Sequence, residues 1–225
     1  MTHLDIELQQ LKAETIKMWT LVNLQLFKAK KSLLNLDKDL AREIVLSEKR
    51  VNANELKLDS DCENIFALFN PVAVDLRFVL AVLKINNNLE RTGDIAESIA
   101  KFVININRSF DKKLLEITRV VEMYEAALEM MNEVMEAFDT ENTDIARKIF
   151  QKDDLLDDIN SKANAVVANY IRNNPDNIEA ALYLLSIIRK LERVGDQAKN
   201  MAEEIIFYIE AKVLKHRPSK EKHKK

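Results

Sequence analysis

Leu89-Glu90-Arg91-Thr92-Gly93-Asp94 and, 102 positions later, Leu191-Glu192-Arg193-Val194-Gly195-Asp196 hold both glycines of this 225-residue chain. Each phrase lies inside a long run of helical apolar spacing, where glycine costs roughly 1 kcal/mol relative to alanine. A chain that otherwise avoids glycine places it twice at the same costly point, so the two phrases mark one site used twice. Residues i and i+4 share a helix face, and here they are Glu and Asp. The repeated site is therefore a pair of carboxylates.

Working outward, two glycines and three prolines leave little material for tight turns, while 47% hydrophobic and 32% charged residues suit a helical bundle. Six helical segments can be read: about residues 4–31, 37–68 with Asp37 as its N-cap, 72–106, 111–138, 143–171 and 178–215. Asn70-Pro71 and Asn173-Asn174-Pro175 break the pattern before the third and sixth segments. The third segment alone would span roughly 50 Å at 1.5 Å per residue. Pro71 precedes Glu90 by 19 residues and Pro175 precedes Glu192 by 17, so the halves match apart from one small indel. The expected fold is all-α: two tandem three-helix bundles related by internal duplication, residues 1–107 and 108–215. A basic disordered tail is expected at 216–225.

Composition excludes several classes. No stretch of 18 apolar residues is available to span a membrane. The start, Met1-Thr2-His3-Leu4-Asp5, lacks the charged-then-apolar pattern of a secretory signal. Cys62 is alone, which leaves no internal disulfide and no thiolate metal cluster. These features predict a cytoplasmic protein. The net charge of −3 is uneven: residues 215–225 carry six Lys/Arg and one Glu, leaving 28 basic against 36 acidic residues in the body. An acidic body argues against nucleic acid as the partner. The tail allows peripheral contact with anionic lipid or an acidic partner, although such a run is more commonly a solubilising one.

The carboxylates carry the chemistry. Glu90 and Asp94 are followed one turn on by Glu97, and Glu192 and Asp196 are followed on the same face by Glu203. On the sixth segment these acids lie roughly 100–140° from the apolar stripe Leu184, Leu191, Ala198, Ile205 and Ile209, so they flank the core. Gly195 falls between stripe and acids, where a missing side chain lets a partner helix approach. Like charges at i and i+4 repel, and a bound cation reverses that sign. Iron, manganese and zinc all accept carboxylate oxygen. One helix supplies only two or three ligands, so a second must contribute. Asp153 and Asp157 on the fifth segment are spaced to do so, as are Glu48, Asn52 and Glu55 on the second. Asn52 stands where the second half has Asp157, so the second half reads as the better site. Set against this, a Glu-x-x-x-Asp pair in a charged helix is usually a solvated face. Arg91 and Arg193 are equally consistent with charge partners across the bundle and with surface residues.

Other chemistries find no support. Ferritin-like di-iron sites need Glu-x-x-His on bundle helices, whereas His3, His216 and His223 all lie near the ends. The same placement disfavours histidine catalysis and a metal-dependent enzyme. No glycine-rich phosphate loop occurs. Met123, Met130, Met131 and Met135 at helical spacing read as core.

The doubled Leu-Glu-Arg-x-Gly-Asp phrase near the end of a three-helix repeat resembles the PhoU family of phosphate-transport and phosphate-regulon regulators. Asn70-Pro71-Val72-Ala73-Val74-Asp75-Leu76-Arg77 is similar to that family's Pro-x-x-x-Asp-Leu-Arg entry to its third helix. Asp196-Gln197-Ala198-Lys199-Asn200-Met201-Ala202-Glu203 is similar to its second-repeat pattern. The resemblance covers about residues 4–215. It implies a non-catalytic cytoplasmic protein, often a homodimer. Such a protein couples the ATPase of a phosphate ABC transporter to a phosphate-sensing histidine kinase and represses starvation genes. It also implies multinuclear iron or zinc clusters on Glu/Asp-x-x-x-Asp motifs, here Glu90 with Asp94, Glu192 with Asp196, Asp153 with Asp157, and Glu48 with the departing Asn52. Two rival readings remain: the accessory protein of a single-component phosphate permease, and a structural scaffold whose acidic faces are simply solvated.

Overall fold

The computed structural model describes residues 2–213; the basic tail expected at 216–225 lies outside the described residues. Helix α1 (His3–Asn35) starts in a capping box. The Asp5 amide donates to Thr2 Oγ1 at 3.1 Å and the Thr2 amide donates to Asp5 Oδ2 at 2.6 Å. Helix α2 (Lys38–Phe69) is capped by Asp37, as its sequence position predicts, and ends at Asn70 in the left-handed region, φ 46°. Helix α3 (Ala73–Asn105) follows Pro71. The second half runs α4 (Lys112–Thr118), α5 (Val120–Asp139), α6 (Thr143–Asn173), a single 3-10 turn (Pro175–Asn177) and α7 (Ile178–Glu210).

Two segments differ from the sequence expectation. The fourth, expected as one helix over about 111–138, breaks at Arg119, which adopts φ 54° and ψ 24°. The Thr118 hydroxyl there donates to the carbonyls of Leu114 and Leu115 at 2.7 and 3.2 Å. The Arg119 guanidinium donates twice to Glu122, both at 2.7 Å. Side-chain bonds to nearby groups thus compete with the helical ladder, and the turn lets Leu114 and Val120 both bury. The sixth segment stops at Glu210, not near Lys215. Ala211 turns left-handed, φ 55°, and the Arg147 guanidinium holds Glu210 in two bonds of 2.8 Å.

Helices α3 and α7 lie at the centre, flanked by α2 and α6, while α1 and α5 pack behind them and against each other. Arg77 meets Tyr208, Lys84 meets Glu204, Asn88 meets Asn200, and Phe102 meets Tyr183. Numbers rise on one helix as they fall on the other, so α3 and α7 are antiparallel. These pairings bracket the two copies of the motif, which therefore face each other across an approximate two-fold axis.

The two repeats share one core. The Trp19 indole N–H on α1 donates to the Met131 carbonyl on α5 at 3.2 Å, and the Tyr124 hydroxyl on α5 donates to Leu26 on α1 at 3.1 Å. Phe78, Phe138 and Tyr208 join both halves in an aromatic cluster with centroids 5.5–6.2 Å apart. The expected stripe of α7 is buried through Leu184, Leu191, Ala198 and Ile205, whereas Ile209 is only half-buried. Met123, Met130 and Met131 are core and Met135 packs against it.

Candidate functional site

The glycines act by close approach. A Cβ on Gly195 would lie 2.6 Å from Asp153 Oδ1 and 2.7 Å from Leu156 Cδ2. A Cβ on Gly93 would lie 3.1 Å from Val51 Cγ1, 3.3 Å from Gln25 Oε1 and 3.4 Å from Glu48 Oε1. Both glycines have ordinary helical backbones; what they supply is room. In each half that room seats a carboxylate of the neighbouring helix against the motif, Glu48 on α2 and Asp153 on α6.

Glu48 is 5% exposed, and neither of its carboxylate oxygens has a hydrogen-bond partner among the described residues. Burial raises its pKa from the ordinary 4.5 to about 7, helped by the nearby charges of Asp94, Glu97 and, less, Glu90, against a smaller opposing pull from the Gln25 side chain. Glu90 is raised by burial and then by Asp94 and Glu55. Glu55 is raised by burial, Asp59 and Asp94. The structure thus brings Glu48, Glu90, Asp94 and Glu97 into one electrostatic neighbourhood with Glu55 at its edge. Asn52, one turn along α2, is exposed.

The second half has the same frame with one change. Asp153 is 4% exposed. The Lys199 ammonium is paired with it at very short range and with Asp196 at 2.8 Å. Lys199 occupies the position of Glu97 in the first copy. Burial pulls its pKa down, and the two carboxylates more than reverse this, leaving it raised. Asp153 is raised by burial against the opposing pull of Lys199. Glu192 is raised by burial and by Asp196, Asp157 and Asp153. Asp157 is exposed on the same cluster and Glu203 is half-buried further along α7.

The donor chemistry of the first half, a buried carboxylate among three others, suits a hard or borderline cation. In the second half a lysine already supplies the positive charge. Among the described residues, no three Asp, Glu, His or Cys side chains converge tightly enough to grip an ion as they stand. Ligation would therefore need rotamer changes at Glu90, Asp94 or Glu97. Lys199 carries no signal within its own repeat; Asp196-x-x-Lys199 against Asp94-x-x-Glu97 stands out only when the two copies are aligned.

Between the two carboxylate clusters, where α3 and α7 cross, lies a cleft of about 560 Å³ lined by Arg91, Asp94, Ile95, Glu97, Ser98, Lys190, Arg193 and Gln197. Arg91 and Arg193 are the same position of the two repeats, brought into one cavity by the two-fold arrangement.

The family model of the PhoU domain matches residues 15–103 and again 120–205. This chain belongs to the PhoU family. Each match carries one copy of the Leu-Glu-Arg-x-Gly-Asp phrase, so the duplication is of the whole domain. A phosphate-specific transport system accessory protein PhoU homolog of Thermotoga maritima is 31% identical over 213 residues, covering 95% of this chain and 91% of that one. The corresponding protein of Escherichia coli is 28% identical over 93% of this chain and 86% of its own length. The crystal structure of PhoU from Pseudomonas aeruginosa superposes with a TM-score of 0.87 at 27% identity, covering 93% of this chain and 100% of that one. That of the Streptococcus pneumoniae phosphate transport system regulatory protein gives 0.83 at 26%, covering 94% and 99%. No helix of this PhoU-family chain, among the described residues, is long and apolar enough to cross a membrane.

Proposed function

We propose that the chain is a non-catalytic cytoplasmic regulator of phosphate uptake and of the phosphate-starvation response. It acts as an adaptor between the ATPase of a phosphate ABC transporter and a phosphate-sensing histidine kinase, holding starvation genes off when phosphate is plentiful. The observation that carries this reading is the PhoU domain matched in both halves of the chain. The curated relatives, named as accessory proteins of phosphate-specific transport, point the same way. We include a homodimer in the proposal. Phe27 on α1 and Leu46 and Leu56 on α2 are large apolar residues exposed at 53%, 70% and 69% and give a second copy apolar surface to cover.

Iron or zinc at the carboxylates belongs to the same proposal. Glu48, Glu90, Asp94 and Glu97 would hold it in the first half. Asp153, Asp157, Glu192 and Asp196 would hold it in the second, where Lys199 must first give way. The ion would tie α2 to α3 or α6 to α7 and cancel repulsion that these residues otherwise impose on the fold.

Alkaline phosphatase output in phosphate-rich medium, from the source strain with this gene deleted, tests the reading. We expect high output, returned to low by the wild-type chain. Unchanged low output would contradict it and favour either an accessory protein of a single-component permease or a structural scaffold.

A further inference from the structure

The cleft on the α3–α7 crossing has a charge pattern that the carboxylate sites do not explain. Arg91 and Arg193 line it, and neither makes an ion pair or side-chain hydrogen bond among the described residues. Lys190 lines it too, its ammonium 5.5 Å from the centre of the Phe102 ring. Against these three cations stand two carboxylates. Glu97 is taken up by Lys101 at 2.6 Å, which leaves Asp94. The cleft therefore holds surplus positive charge in an otherwise acidic body. Its acceptors are also informative: Gln197 Oε1 is buried and without a hydrogen-bond partner among the described residues, and Asp94 can only accept.

We propose that this cleft binds inorganic hydrogen phosphate and selects it against sulfate. Two guanidinium groups and an ammonium match a tetrahedral oxyanion, with arginine forks suited to pairs of its oxygens. At neutral pH phosphate keeps at least one P–OH, which donates to the Asp94 carboxylate or to Gln197 Oε1. Sulfate carries no proton and would set bare oxygens against the same atoms. Leaving such acceptors unpaired is how a polar site rejects a near-isostere. Ile95 is the one apolar lining side chain and no aromatic residue lines the cleft, so no platform for a nucleobase is offered. This inference goes beyond the regulator reading and does not depend on it, because it concerns binding by the purified chain.

The test is isothermal titration calorimetry of the full chain at pH 7, stripped with chelator so that no bound metal can take the phosphate. Inorganic phosphate, sulfate, pyrophosphate and glycerol phosphate are titrated in turn. We expect phosphate to bind about tenfold or more tightly than sulfate. The Arg91→Gln/Arg193→Gln chain should lose about tenfold or more in phosphate affinity, while Arg42→Gln, on α2 and not among the residues that line the cleft, binds as wild type does. Gln197→Leu should bring phosphate and sulfate closer together. Circular dichroism confirms that each variant is folded; both arginines are exposed, so their replacement leaves the core intact. Sulfate binding as well as phosphate, absence of phosphate binding to the wild type, or unchanged binding by the double variant would each overturn the proposal. Tighter binding of pyrophosphate or glycerol phosphate would overturn the choice of ligand.

Discussion

Gly93 and Gly195 answer to different neighbours, and their alanine variants should differ accordingly. Alanine gains roughly 1 kcal/mol in helix propensity at either place. At Gly195 the new Cβ strikes two side-chain ends of buried residues, Asp153 and Leu156, at 2.6 and 2.7 Å. Overpacking of this kind costs about 1–3 kcal/mol. At Gly93 the nearest atom is 3.1 Å away, and small shifts suffice. We expect Gly195→Ala to melt below wild type in urea and Gly93→Ala to stay within about 1 kcal/mol of it. The reverse order would contradict the close-approach reading.

Glu48 makes a second prediction at this scale. Its pKa rises from 4.5 to about 7 on folding. Between these values the unfolded chain releases a proton that the folded chain keeps. Its contribution to stability is therefore fully present below about pH 4.5, is lost as the pH rises to about 7, and is level above that. In metal-free protein, Glu48→Gln should exceed wild type by on the order of 2 kcal/mol at pH 8 and differ little at pH 4.5. Added iron or zinc should raise the melting temperature of wild type at pH 8 far more than that of Glu48→Gln. Parallel pH profiles for the two chains would show that Glu48 is not the strained group.

At the scale of helices, the α2–α3 and α6–α7 pairs share a frame but balance charge differently. Lys199 neutralises Asp153 and Asp196 in the second pair, and Glu97 adds to the repulsion in the first. Lys199→Met leaves Asp153 buried without its cation. We expect it to cost about 3 kcal/mol at pH 7, read by denaturant melts, with much less loss when Asp153→Asn is made in the same chain. An equal loss in both backgrounds would mean that Lys199 acts through packing alone.

Much of this scale was legible. Periodicity located α1, α2, α3 and α7 because apolar spacing persists over more than thirty residues in each. The Asp37 cap and both Asn-Pro breaks were readable from backbone chemistry. The break at Arg119 was not, because it depends on a left-handed arginine held by Glu122 and on Thr118 bonding back to Leu114, and neither residue is a helix breaker by type. The Lys199 pairing was missed for another reason: with the copies read separately, Lys199 looks like any surface lysine of a charged helix.

At the scale of the molecule, duplication places equivalent residues of the two repeats side by side. Arg91 and Arg193 share a cleft only because α3 and α7 cross antiparallel at the repeated motif. Periodicity alone does not encode that crossing. Trp19 illustrates the point: a lone tryptophan in sequence, it is fully buried and bonds across the repeats to Met131. What the sequence did carry was the pairing of acids with glycines, since only close helix approach justifies glycine at those two places.

The regulation proposed for this chain is assigned, as part of that proposal, to the paired carboxylates. That assignment is tested most directly by alkaline phosphatase output in phosphate-rich medium from the deletion strain carrying either the wild-type chain or Asp94→Asn/Asp196→Asn. The account predicts low output with wild type and high output with the variant at equal protein level. Equally low output with both would contradict it and leave the acidic faces as solvated surface.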